Sequence, residues 1–417
     1  MTAGPPVRDG ALTGLRALAA ILVIGTHSGF ITGMLSHGYL GHVFGRLEIG
    51  VPIFFALSGF LLFRPWVIRA AATRDGQRAP APSVRRYARR RVRRIMPAYL
   101  VTVLVTFAVF AVYTPGPNPG QTWPGLLRYL TLTQIYASNF MARYLHTGMP
   151  QMWSLAVEVS FYLLLPLLAY LLLGRRRAWR PAAVLSGIAA LALVEPVWLM
   201  LANATHVLPD AAGMWLPAHL SPFAGGMALA VLQVTGAHCR ARWALPAACA
   251  GFLLISGSWA FGSYLGPTHW WQPVVSAAAY GLIATLIVAP LALGDRGYWH
   301  RLLNLRPVVW VGEISYEIFL LHVMVMTLTI GLLLRWPPFT GPVAVLWALT
   351  LALTIPPAWL LHRCTAPRSL READQASLRN AGSSKASARP RCDAASLASG
   401  LSSAAEQVPP SGRNTGS

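Results

Sequence analysis

The sequence predicts an all-α, polytopic membrane protein of about ten transmembrane helices, with the N- and C-termini both cytoplasmic. Three observations predict it. Only 11% of the 417 residues are charged while 55% are hydrophobic, and a soluble domain carries about twice that charged share. Apolar runs of bilayer-spanning length recur along the whole chain. The basic residues then fall almost entirely on alternate connections between those runs.

A hydrocarbon core of about 30 Å takes roughly 20 apolar residues per helix. Such runs lie near 12–33, 48–68, 95–114, 152–173, 182–202, 214–234, 243–262, 271–293, 308–333 and 341–361. The first is no cleavable signal, because it is long, carries Arg16 in its start and lacks a small-residue cleavage site. Pro52, Pro166, Pro196, Pro222, Pro290 and Pro356 interrupt several runs, which embedded helices tolerate when neighbours satisfy the freed backbone groups. Residues 115–150 form one long external segment. Its second half, with Trp123, Tyr129, Ile135 and Tyr136, is apolar enough to lie in the membrane interface.

With a cytoplasmic N-terminus, 30 of the 34 Lys and Arg fall on the cytoplasmic side, leaving Arg46, Arg128, Arg143 and Arg335 outside. The reverse orientation would invert that ratio. The excess of 34 basic over 13 acidic residues is thus a membrane-orientation signal, and no nucleic-acid partner is expected. The chain divides into a cytoplasmic segment 1–10, a membrane domain 11–367 and a Ser/Ala/Arg-rich cytoplasmic tail, 368–417, expected to be disordered. The four cysteines have no metal-like or paired spacing, so neither a metal site nor a disulfide framework is expected. The near absence of Lys points to a GC-rich bacterial genome.

Ionisable side chains inside a span are costly and are functional candidates by default. Arg16 and His27 stand eleven residues apart in the first span, which places them on nearly one helical face about 16 Å apart. Glu158 is a lone carboxylate in the fourth span. The ninth span carries Glu313, Ser315, Tyr316, Glu317 and His322. Ser315 and His322 share a face, and the two glutamates sit where basic loop residues can pair with them. Glu195, before Pro196, has no evident role. Arg85, Arg86, Arg89, Arg90, Arg91, Arg93 and Arg94 crowd the approach to the third span. They serve as orientation signal and lipid contact, or as a guanidinium cluster for a multi-phosphate ligand. On residues alone this is a membrane protein with a His/Glu/Arg-lined cavity, either a transporter or flippase, or an enzyme.

Five stretches together resemble the acyltransferase-3 family of bacterial membrane O-acyltransferases. They are Gly14-Leu15-Arg16 running on to His27, Phe54-Phe55-Ala56-Leu57-Ser58-Gly59-Phe60, Arg90-Arg91-Val92-Arg93-Arg94-Ile95-Met96-Pro97, Trp153-Ser154-Leu155-Ala156-Val157-Glu158, and Ser315-Tyr316 running on to Leu321-His322. Pro52 stands where the family often has Asp, and Thr365-Ala366-Pro367 where it often has Glu-x-Pro. The resemblance implies the stand-alone form, in the bacterial inner (plasma) membrane. It implies transfer of an acyl group, commonly acetyl, from acyl-CoA as co-substrate to a hydroxyl of a sugar, glycan or antibiotic-like acceptor, with no resident cofactor. On that footing His27 is expected to be the general base or a transient acyl carrier, and Glu158 its orienting carboxylate. Arg16 would guide the donor, and Arg90, Arg91, Arg93 and Arg94 would hold the coenzyme A phosphates. His322, Ser315 and Tyr316 would complete the cavity wall or contact the acceptor.

Overall fold

The computed structural model describes residues 10–72, 82–174, 179–205, 207–257, 259–262 and 267–366. The expected disordered tail, 368–417, and the segment ahead of Gly10 lie outside the described residues. Among those described, every regular element is helical. Ten helices correspond to the ten apolar runs: α1 Gly10–Ile31, α2 Gly50–Ala72, α3 Val84–Val112, α4 Met152–Ala169, α5 Pro181–Ala204, α6 Leu220–Val234, α7 Ala241–Gly257, α8 Gln272–Ala292, α9 Ser315–Leu328 and α10 Val343–Thr365. Among the described residues, eight spans are long and apolar enough to cross a membrane. The other two, α6 and α7, have 15 and 17 residues.

Local chemistry explains where the predicted runs break. Pro196 removes an N–H and crowds the carbonyl one turn back, and α5 is interrupted at Leu193, between Pro181–Ala192 and Val194–Ala204. The run at 308–333 splits into Arg306–Glu313 and α9 around Ile314. There Ser315 Oγ donates to the Gly312 carbonyl at 2.8 Å, a local bond that competes with the helical ladder.

Helix α2 packs against α1, α4, α6 and α8. Lipid provides no hydrophobic drive between helices, so close packing of small residues holds such a bundle. A Cβ on Gly59 would meet the backbone of Phe223 on α6, and one on Gly226 would meet the backbone of Ala56. The closeness is capped by a stack of rings, with Phe223 lying 4.5 Å from Phe55 and 4.0 Å from Phe161.

The external segment does more than lie on the interface. Trp123 and Leu127 are exposed, but Tyr129, Ile135, Phe140 and His146 are buried in the bundle. Tyr99 of α3 donates to the Tyr129 carbonyl at 2.5 Å, and Trp215 donates to the Ile135 carbonyl at 2.8 Å. Tyr136 bonds Ser160 at 2.6 Å, eight residues or about 12 Å into α4. Tyr136 itself stays 42% exposed, while its neighbours Gln134 and Ile135 in the same short helical turn are fully buried. At its far end Gln151 donates to the Leu320 carbonyl of α9 at 3.0 Å.

Candidate active site

The arginine-rich start of α3 sorts itself by helical face. Arg90 and Arg93 are exposed, whereas Arg91 and Arg94, three residues apart, are half-buried and turn inward. Tyr87, one turn before Arg91, lies on the same face, and its hydroxyl donates to the Tyr162 carbonyl at 3.1 Å. The inward arginines meet Arg16 of α1, Glu158 and Tyr162 of α4, Ser58 of α2, and Ser315, Tyr316 and Phe319 of α9 around one slot of about 90 Å³. Three guanidiniums thus share a slot with one carboxylate. The Arg91 Nε is buried with no hydrogen-bond partner, an orphan donor suited to an anionic ligand.

Glu158 accepts hydrogen bonds from the hydroxyls of both Ser58 and Tyr162. The structure therefore gives it other partners than the expected His27, and no described contact joins the two. Tyr162 was open to inference, being the i+4 neighbour of Glu158. Ser58 lay inside the quoted Ser-Gly-Phe stretch. Only the packing of α2 on α4 brings it to the carboxylate.

His27 stands deeper and does not line the slot. Its ring centre is 5.2 Å from that of His322. The Nδ1 of His322 lies 2.8 Å from the Phe319 carbonyl and 3.2 Å from the Ile318 carbonyl. A carbonyl only accepts, so Nδ1 carries the proton and Nε2 keeps its lone pair. That Nε2 is buried without a partner. Phe319 belongs to both groups: it lines the slot, and its ring centre is 5.9 Å from that of His322.

Of the remaining expected residues, Ser315 is buried against Gly312, and Tyr316 ties α9 to α3 by donating to the Ile95 carbonyl at 3.0 Å. Both face the slot, whereas His322 joins His27 instead. Glu317 contacts His362 of α10 at 3.0 Å rather than a basic loop. Glu195 accepts the Ser221 N–H at 2.5 Å, satisfying one of the orphan donors at the start of α6.

The all-helical bundle thus gathers three guanidiniums and one carboxylate around one slot, with a histidine pair deeper among its helices. Residues 9–363 match the acyltransferase-3 family, described as an acyltransferase domain. The chain belongs to that family and is a membrane-bound acyltransferase. It is 30% identical to acyltransferase MdmB of Streptomyces mycarofaciens, covering 77% of this chain and 80% of that one. It is 25% identical to peptidoglycan O-acetyltransferase OatA of Listeria monocytogenes, covering 76% and 49%. With O-acetyltransferase OatA of Staphylococcus aureus the identity is 22%, over 75% and 49%. The chain thus spans about half the length of these OatA relatives. No solved structure matches it.

Proposed function

We propose that this protein is an O-acyltransferase of the bacterial inner membrane that moves an acyl group, acetyl in the simplest case, from acyl-CoA to a hydroxyl of a sugar, glycan or antibiotic-like acceptor. The observation that carries the reading is the slot shared by Arg16, Arg91, Arg94 and Glu158, leading through Phe319 towards the His27–His322 pair. Family membership and the O-acetyltransferase relatives support the same chemistry.

The exposed Arg90 and Arg93 would meet the outer phosphates of coenzyme A at the membrane surface, and Arg91 and Arg94 those nearer the slot. A slot of about 90 Å³ admits a chain end rather than a nucleotide, so the pantetheine arm enters and the nucleotide stays among the arginines. Arg16 guides the arm past Glu158. The thioester then passes Phe319, whose ring must turn aside, and reaches His27.

His27 takes the proton of the acceptor hydroxyl while its oxygen attacks the thioester carbonyl. The C–O bond forms, the C–S bond breaks, and the proton passes from His27 to the departing thiolate. Base catalysis of this kind contributes about 10²–10⁴-fold. The His322 Nε2 lone pair suits it to accept the N–H of His27, which would leave the other His27 nitrogen as base. His322 then takes the orienting part that the triad analogy gives to Glu158. Glu158 balances the charge of the arginines in the slot.

The test uses purified protein in detergent with acetyl-labelled acetyl-CoA. His27→Ala should lose thioester cleavage and acyl transfer while keeping acetyl-CoA affinity. Wild-type rates in that variant would remove His27 from the mechanism.

A further inference from the structure

The donor slot changes character along its length. On α2 its lining residues Leu61, Ser58, Phe54 and Val51 recur at three or four positions, so they form one stripe running inward from the arginine end. On α9, which crosses in the opposite direction, Ser315 and Phe319 line the slot, and His322 continues their face. The two stripes agree in order. Ser58 and Ser315 stand at the polar end with Glu158, whereas Phe54 and Phe319 meet deeper, their ring centres 6.4 Å apart at 66°. The Phe319 ring is in turn 5.9 Å from His322, which is 5.2 Å from His27. Separations of about 4.5–7 Å are those of aromatic rings in contact. Phe54, Phe319, His322 and His27 thus form one contiguous row of rings between the slot and the base.

We propose that Phe319, braced by Phe54, limits the length of acyl chain this enzyme accepts, admitting acetyl and turning longer chains back. The proposal rests on the acyl-CoA reading and adds the residues that select the donor. An acyl-CoA entering past the arginines leads with its acyl group, so the acyl carbons are the first part to meet the two rings.

The backbone behind the Phe319 ring is held in place. Its carbonyl accepts from His322 Nδ1 at 2.8 Å and from Gln151 Nε2 at 3.3 Å, and Gln151 also donates to the Leu320 carbonyl at 3.0 Å. The side chain alone is left to move. An aromatic χ1 in a helix takes about 180° or −60°, since the third rotamer drives the ring into the preceding turn, so the ring has one alternative position. Across the slot, the stack of Phe55 on Phe223 at 4.5 Å steadies α2 beside Phe54. A two-carbon acyl group needs the Phe319 ring to swing once. Each further methylene must lie among Phe54, Phe319 and His322, and a surplus methylene in a closed apolar pocket costs about 10–200-fold in specificity. If Phe319 served packing alone, shortening it would cost stability and leave the preference among acyl chains unchanged.

The test is release of free coenzyme A by the full chain in detergent, comparing acetyl-CoA with butyryl-CoA, with glycerol in excess as the hydroxyl acceptor. The readout is the ratio of kcat/KM for the two thioesters, which does not depend on how much of a preparation is folded. Wild type should prefer acetyl-CoA by about a hundredfold or more, from two methylenes at about tenfold each. Phe319→Ala should bring the ratio below about tenfold, and Phe54→Ala, which removes the brace, should lower it as well. Phe319→Leu, which keeps an apolar filling and guards against a fold defect, should fall between wild type and Phe319→Ala. A wild type indifferent to chain length, or a ratio unmoved in all three variants, overturns the proposal. Cleavage of neither thioester by wild type strikes the acyl-CoA reading itself, whereas full cleavage with an unmoved ratio strikes only the selection by Phe319.

Discussion

Acidification should loosen the external segment through one histidine. His146 is 0% exposed, with the rings of Phe107, Phe110 and Tyr129 centred 4.7, 5.1 and 6.1 Å away. Its Nδ1 accepts the Gly148 N–H at 3.1 Å, so the neutral ring carries its proton on Nε2, which donates to Gln121 Oε1 at 2.6 Å. Burial pushes the imidazole down to about 4 from its ordinary 6.5. Protonating Nδ1 would also set two N–H groups against each other. The folded value lies below the unfolded one, so the unfolded chain binds the proton first. The contribution to stability is therefore whole above pH 6.5 and is lost as the pH falls towards 4. That interval, at about 1.36 kcal/mol per pH unit, amounts to about 3 kcal/mol.

The assay is chemical denaturation of wild type and His146→Gln in detergent, from pH 7.5 to pH 4. Other buried histidines titrate alike in both proteins and cancel in the difference. Wild type should lose about 3 kcal/mol more than the variant across the window. Parallel curves would refute the reasoning.

Three further outcomes follow from particular contacts. Arg91→Ala should weaken acetyl-CoA binding tenfold or more, because a charge-assisted hydrogen bond is worth about 1.5–3 kcal/mol; Arg90→Ala, on the exposed face, should change it less than about threefold. Equal losses in a calorimetric titration would mean that the arginines act only as diffuse charge. In Gly59→Val the new Cβ would fall 3.0 Å from the Phe223 carbonyl carbon and 3.1 Å from its Cα. Backbone cannot yield as a side chain does, so the variant should lose about 1–3 kcal/mol, and an unchanged thermal midpoint would contradict the close approach of α2 and α6. His322→Leu should slow acyl transfer on the order of a hundredfold with acetyl-CoA affinity retained; a change in KM alone would exclude a positioning role.

Much of the candidate site was legible one residue at a time and little of it as an arrangement. The sequence by itself determined the class of architecture, because bilayer thickness sets helix length and a charge inside a span is conspicuous. Arg16, Glu158 and His322 stood out for that reason. Helical periodicity did not separate Arg91 and Arg94 from Arg90 and Arg93, since Arg90 and Arg94, four residues apart, share nearly one face; the packing of α3 decides which two turn inward. The five family stretches supplied the candidate residues along the chain.

Partnership across helices was decided only by tertiary structure. Glu158 turns to Ser58 and Tyr162 rather than to His27, because glycine-mediated contact between α2 and α6 sets where α2 meets α4. His27 meets His322, whose tautomer is fixed by the carbonyls of its own helix. The external segment, whose composition reads as an interfacial stretch, buries Tyr129, Ile135 and His146 in the bundle, since α3, α4 and the Trp215 turn offer it partners at depth. Period and composition report which face of a helix is polar. Which two polar faces meet depends on packing between segments a hundred residues apart, and no local pattern encodes it.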